Sequence, residues 1–189
     1  MAQAKSLTTA DIERVLTYIA HNKHATRNRA MLLFTVLAGL RVSELAGLTI
    51  QDVRNANGTI KTEMYLSAER VKHGTARTVF ISTRLQAELA DYIQTRVWLY
   101  DTQPLFSTQR GIRYAFTANT LTQHFFWLYR KAGLQNSSHG GRKTFISSLA
   151  SQGVNVFVLA KLAGHKDVKT TMRYVTTGDE VLRRAVELV

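Results

Sequence analysis

A mainly helical fold carrying a small three-stranded antiparallel sheet, of the α+β class, is predicted by three observations. Apolar residues recur at helical spacing on both sides of residues 49–81. That middle stretch instead alternates and is broken by turn residues. The chain's 189 residues, 45% of them hydrophobic, suit a single domain with a real core.

The first helix opens at Thr8-Thr9-Ala10-Asp11, a capping sequence, and places Ile12, Val15, Leu16 and Ile19 on one face. A more apolar helix runs from about Arg27 through Met31, Leu33, Phe34 and Leu37, with Gly39 positioned as a left-handed cap. Three strands are expected next: Thr49-Ile50-Gln51-Asp52-Val53, then Thr62-Glu63-Met64-Tyr65-Leu66 after the turn at Asn57-Gly58, then Thr78-Val79-Phe80-Ile81 after a polar tip at Lys72-His73-Gly74. Helical spacing returns at Leu85, Leu89, Ile93 and Val97. It pauses at Pro104 and Gly111 and resumes at Leu121, Phe125 and Leu128 toward the C-terminus. No internal repeat or low-complexity linker interrupts the chain.

The formal net charge is +12, from 25 Lys and Arg against 13 Asp and Glu. Between Thr102 and Gly178 the bases are Arg110, Arg113, Arg130, Lys131, Arg142, Lys143, Lys161, Lys166, Lys169 and Arg173, while Asp167 is the only acid. A basic surface of that extent points to nucleic acid as partner. An anionic membrane fits less well, because no helix sets a long Lys/Arg face against aromatics. The absence of cysteine excludes disulfides, a thiol nucleophile and thiolate zinc sites. The N-terminus has no apolar signal core, and no run approaches a membrane span. The expected location is therefore cytoplasmic, and nucleoid-associated when DNA is bound.

Several polar groups stand out. Gly39-Leu40-Arg41-Val42-Ser43-Glu44-Leu45 sets Arg41 at a helix end with Glu44 one turn on, close enough to hold its guanidinium. Further along come His139-Gly140-Gly141-Arg142, Leu162-Ala163-Gly164-His165 and Met172-Arg173-Tyr174. Each is ordinary by itself: a surface Arg paired with a helix Glu, a His capping a helix, a Tyr packed in a basic helix.

Together, in this order and spacing, these pieces resemble the catalytic signature of the tyrosine recombinase (phage integrase) family, over essentially the whole chain. That resemblance implies the fold of the family's catalytic domain and a site made of Arg41, Lys72, His139, Arg142, His165 and Tyr174, with Glu44 and Lys143 in support. It implies site-specific cleavage and rejoining of double-stranded DNA through a 3′-phosphotyrosine, with no cofactor and no metal. The residue types suit such roles. Phosphodiester cleavage builds charge on nonbridging oxygens, which Arg41 and Arg142 would offset. A phenol is mostly protonated at neutral pH, so the nucleophile Tyr174 needs nearby cations and a base, for which His139 is the natural candidate. His165 would donate to a phosphate oxygen. Lys72, at a hairpin tip, would protonate the leaving 5′-oxygen, with His73 as a weaker substitute.

The family also implies a tetramer on paired sites, accessory DNA-bending proteins, and a C-terminal tail that docks on a neighbouring subunit. Residues 179–189, with Val181, Leu182, Ala185, Val186 and Val189, are apolar enough for docking or for packing on the chain's own core. Three departures stand out. Lys143 follows Arg142 where His is common, Gly140-Gly141 replaces a segment that commonly carries an apolar residue, and the N-terminal core-binding domain is missing. Residues 1–189 thus read as one catalytic domain, either naturally short or truncated at Met1. Two other readings stay open: a type IB topoisomerase-like enzyme, and a non-catalytic DNA-binding regulator on the same scaffold. The basic residues Arg110, Arg113, Arg130, Lys131, Lys161, Lys166, Lys169 and Arg173 are the expected DNA contacts.

Overall fold

The computed structural model describes residues 4–70, 76–96, 100–175, 182–183 and 186–187. Helix α1 (Thr9–Ala20) starts where the sequence predicts, closed by reciprocal hydrogen bonds between Thr8 and Asp11, and it buries Val15 and Ile19. Helix α2 (Ala25–Leu37) is the centre of the molecule: Ala30, Met31, Leu32, Leu33 and Phe34 are consecutive and fully buried. A helix apolar on every side has to be covered on every side. Helix α1, helix α5 (Thr83–Gln94) and helix α7 (Gly140–Ser151) pack on it.

Gly39, at φ +65°, stops α2, and Leu40 plugs the core, so that Arg41 emerges at the start of the short helix α3 (Val42–Ala46). The expected first strand is instead a single helical turn, α4 (Ile50–Val53). Its cause is a second capping pair, in which the Thr49 amide and hydroxyl both donate to Asp52 Oδ2, at 2.7 and 2.9 Å. The sheet among the described residues is therefore two-stranded, β1 (Glu63–Leu66) antiparallel to β2 (Arg77–Phe80), with Met64 opposite Val79 and Leu66 opposite Arg77. The turn at Asn57-Gly58 survives as one isolated bridge between Arg54 and Ile60.

Helix α6 (Ala118–Lys131) buries Leu121, Phe125, Leu128 and Tyr129 and lies against α3. Helix α8 (Val156–Ala163) packs on α7, on β2 and on helix α9 (Val168–Met172). The C-terminal ends of α2 and α8 and the first turns of α3 and α7 are brought together in this way. No helix among the described residues is long and apolar enough to cross a membrane.

Candidate active site

Arg142 leaves the first turn of α7 and is 6% exposed. Its guanidinium lies between two helix ends, with Nη1 donating to Gly39 O at 2.6 Å and Nη2 to Ala163 O at 2.5 Å. Both acceptors stand at helix termini, where carbonyls lack intrahelical partners and the dipole is negative. Arg41 docks on the next carbonyl of the same terminus, its Nη2 donating to Gly164 O at 3.1 Å. Its Nη1 reaches Glu44 Oε1 at 2.8 Å, and its backbone N–H donates to Glu44 Oε2, also at 2.8 Å. The expected hold of Glu44 on Arg41 is present.

Glu44 is fully enclosed and shared. Arg77, on β2, binds the same carboxylate in a bidentate fork at 2.7 and 2.8 Å. Burial alone would raise the Glu44 carboxyl, but the bonds and charge of Arg77, then the amide and charge of Arg41, bring it down to about 2. Burial lowers the Arg142 guanidinium to about 9, and the Arg41 and Arg77 charges push the same way, so it still carries its proton at neutral pH. Three guanidinia thus converge with one carboxylate among them, leaving a positive locus fit for a dianion-like transition state.

His165 follows the left-handed Gly164 that ends α8, and its Nδ1 lies 2.7 Å from the buried Thr171 hydroxyl of α9. Burial, then the charges of Arg142, Arg41 and Arg77, lower the imidazole to about 4, so the ring is neutral at pH 7. The Tyr174 ring stacks on it, with centroids 6.2 Å apart and planes 23° from parallel. Tyr174, Arg142, His139, Lys143, Thr170, Arg173 and Ala4 line one cavity of about 250 Å³. Five of the sequence-predicted residues, Arg41, His139, Arg142, His165 and Tyr174, are brought into one neighbourhood. Lys72 and His73 lie outside the described residues.

His139 is exposed at the start of α7. Lys143 is half-buried and donates from Nζ to Ala4 O at 3.0 Å, tying the N-terminal segment to α7 beside the cavity. The Gly140-Gly141 pair has a packing cause: a Cβ on Gly141 would lie 2.0 Å from Thr35 Oγ1 of α2, and one on Gly140 would lie 2.7 Å from Asn136. Small residues there let α7 press against α2 and seat Arg142.

Arg110, Arg113, Arg130, Lys131, Lys161, Lys166, Lys169 and Arg173 are all exposed. Arg113 donates to Tyr100 Oη at 3.2 Å, and Arg130 lies over the Phe126 ring at 5.6 Å. In the tail, Leu182 and Val186 are exposed, while Val181, Ala185 and Val189 lie outside the described residues. Among the described residues no group of three or more His, Asp or Glu side chains gathers as a metal ion would require.

Sequence reasoning missed Arg77 and Thr171. Arg77 carried a readable signal, since it shares the face of Val79 and Ile81 in an alternating strand and so points into the core. A charge in that position requires a buried acid.

The phage integrase family matches residues 5–180 of this chain. Tyrosine recombinase XerA of Pyrococcus furiosus is 29% identical over 184 residues, which take in 97% of this chain and 61% of that protein. The XerA of Pyrococcus horikoshii is 31% identical, over 97% of this chain and 60% of that protein. This chain therefore spans about three fifths of the length of these relatives. Among solved structures, the catalytic domain of bacteriophage HP1 integrase superposes with a TM-score of 0.70 at 22% identity, covering 98% of this chain and 95% of that one.

Proposed function

The chain belongs to the phage integrase family, matched over residues 5–180, and from that premise we propose that it is a site-specific recombinase acting on double-stranded DNA through a 3′-phosphotyrosine intermediate. The observation that carries the proposal is the meeting of Tyr174 and Arg142 around one cavity, with Arg41 docked on the helix end that also holds Arg142.

In this reading residues 1–189 form one catalytic domain. Tyr174 Oη attacks the scissile phosphorus, and the bond to the 5′-oxygen breaks. Arg41 and Arg142 stabilise the charge that develops on the nonbridging oxygens. Neutral His165, with the Thr171 hydroxyl donating to Nδ1, offers its Nε2–H to one of those oxygens. His139 accepts the Tyr174 proton and Lys72 gives one to the departing 5′-oxygen. The ester keeps the energy of the phosphodiester, so a 5′-hydroxyl from a partner strand reverses the step without ATP, cofactor or metal. Glu44 and Lys143 support the arrangement.

The exposed bases Arg110, Arg113, Arg130, Lys131, Lys161, Lys166, Lys169 and Arg173 would contact DNA phosphates, with affinity falling steeply as salt rises. Assembly would be a tetramer on paired sites, with residues 179–189 docking on a neighbour and accessory proteins bending the DNA. The work would be done in the cytoplasm, on the nucleoid.

The test is incubation with a nicked duplex bearing the candidate site, followed by denaturing electrophoresis. The wild type should become covalently attached through a 3′-phosphate, and Tyr174→Phe should bind DNA equally well and attach none. Attachment that persists in Tyr174→Phe would move the nucleophile elsewhere.

A further inference from the structure

We propose that Arg77 is a positioning residue for the strand-transfer step, acting through Glu44 on Arg41. The proposal rests on the reading above, in which Arg41 acts on the scissile phosphate.

Arg77, unlike Arg142, does not line the cavity that Tyr174 shares. Its side chain is 4% exposed and both Nη groups are committed to Glu44, at 2.7 and 2.8 Å. Arg41 differs in being 22% exposed, and so keeps a face free for an anion. The two arginines use the two oxygens of one carboxylate: Oε1 accepts from Arg77 Nη1 and Arg41 Nη1, while Oε2 accepts from Arg77 Nη2 and the Arg41 amide. A carboxylate gripped at both oxygens has one rotamer available, and Arg41 reads its own direction from that rotamer.

A second contact points the same way. A Cβ on Gly164 would lie 2.6 Å from Arg77 Cδ and 3.1 Å from Nε, so the Arg77 stem forms the floor under the Gly164 turn. That turn supplies the carbonyl that accepts from Arg41 Nη2, and His165 follows it. One buried side chain on β2 therefore supports both polar anchors of Arg41. A guanidinium misdirected by about an ångström loses its alignment with a developing oxyanion, a loss on the order of 10²-fold.

The experiment is single-turnover formation of the covalent DNA adduct by wild type, Arg77→Met, Arg77→Lys, Arg41→Ala and the double variant Arg41→Ala/Arg77→Met, with DNA affinity measured alongside. Arg77→Met should slow adduct formation by about 10²-fold with affinity nearly unchanged, and Arg77→Lys, with a single-point donor, should recover part of the rate. The double variant should be no slower than Arg41→Ala alone, because nothing is left to position. Slowing that adds to that of Arg41→Ala would show that Arg77 acts independently and overturn the proposal, as would a wild-type rate in Arg77→Met. If the Met variant does not fold, Arg77→Lys decides, since a wild-type rate there overturns the proposal too. Failure of the wild type itself to form the adduct would instead sink the recombinase reading.

Discussion

Arg41 and Arg142 donate to consecutive backbone carbonyls, Gly164 O and Ala163 O, at the C-terminal end of α8. Two like charges held side by side repel, and only fixed negative groups keep both in place: the helix terminus, Glu44 and the Gly39 carbonyl. Fixed in this way, the two guanidinia would in the proposed reaction meet a phosphate as donors already aimed, at little cost in reorganisation.

Arg142→Lys therefore tests geometry rather than charge. A lysine ammonium cannot bridge Gly39 O and Ala163 O while still facing a phosphate as a planar fork does. Adduct formation should slow by roughly 10²–10³-fold, the usual loss for one such donor, with DNA affinity much less affected. A near wild-type rate would show that charge alone suffices.

The seat of Arg142 depends on Gly141. Gly141→Ala brings a methyl group to 2.0 Å from Thr35 Oγ1 and 2.8 Å from Thr35 Cβ, a clash in the α2–α7 contact. Overpacking of this kind costs about 1–3 kcal/mol. Thermal melts should show the loss, and Thr35→Ala combined with Gly141→Ala should recover part of it by removing Oγ1. No recovery would place the strain elsewhere.

Two imidazoles make the fold sensitive to acid. Burial, then the Arg27 and His24 charges, lower His124 to about 4, and its buried Nε2 has no hydrogen-bond partner among the described residues. His165 is lowered to about 4 as well. Between the ordinary value of 6.5 and about 4, the unfolded chain binds protons that the folded chain refuses. Stability should be full above pH 6.5 and decline as pH falls toward 4, by ~2–3 kcal/mol from His124 alone. Urea titrations at pH 7.5 and 5 measure the decline, and His124→Gln should flatten it. An unchanged slope in that variant would remove His124 as a cause.

The helices were legible in the sequence because each rests on local rules, whereas the motif pieces stood out only through the resemblance of their order and spacing to a family signature. The Thr8–Asp11 cap, the periodicity of α5 and α6 and the left-handed Gly39 all act within a few residues. The misreading of Ile50–Val53 as a strand has the same origin, since β-branched residues outweighed a Thr49–Asp52 cap of the kind recognised at Thr8. Arg77, Thr171 and the Thr35–Gly141 contact escaped for a different reason. Arg77 and Gly141 take their meaning from partners on other elements, in no common window, and Thr171, six residues after His165, takes its meaning from a ring across the turn between α8 and α9.

Lys72 lies outside the described residues, but both described flanks of its segment are anchored. Arg70 forks onto Asp52 and reaches Gly47 O at 2.6 Å, and Arg77 forks onto Glu44. If the Lys72 ammonium protonates the leaving 5′-oxygen, Lys72→Ala should slow cleavage by roughly 10²–10⁴-fold, the range for loss of a general acid. A 5′-bridging sulfur at the scissile phosphate should remove most of that slowing, because a thiolate departs without a proton. Arg41→Ala and Arg142→Ala should gain no such rescue, since nonbridging charge develops whichever atom leaves. Equal slowing of Lys72→Ala on oxygen and sulfur substrates would make Lys72 a phosphate-positioning group and send the search for the acid to His73.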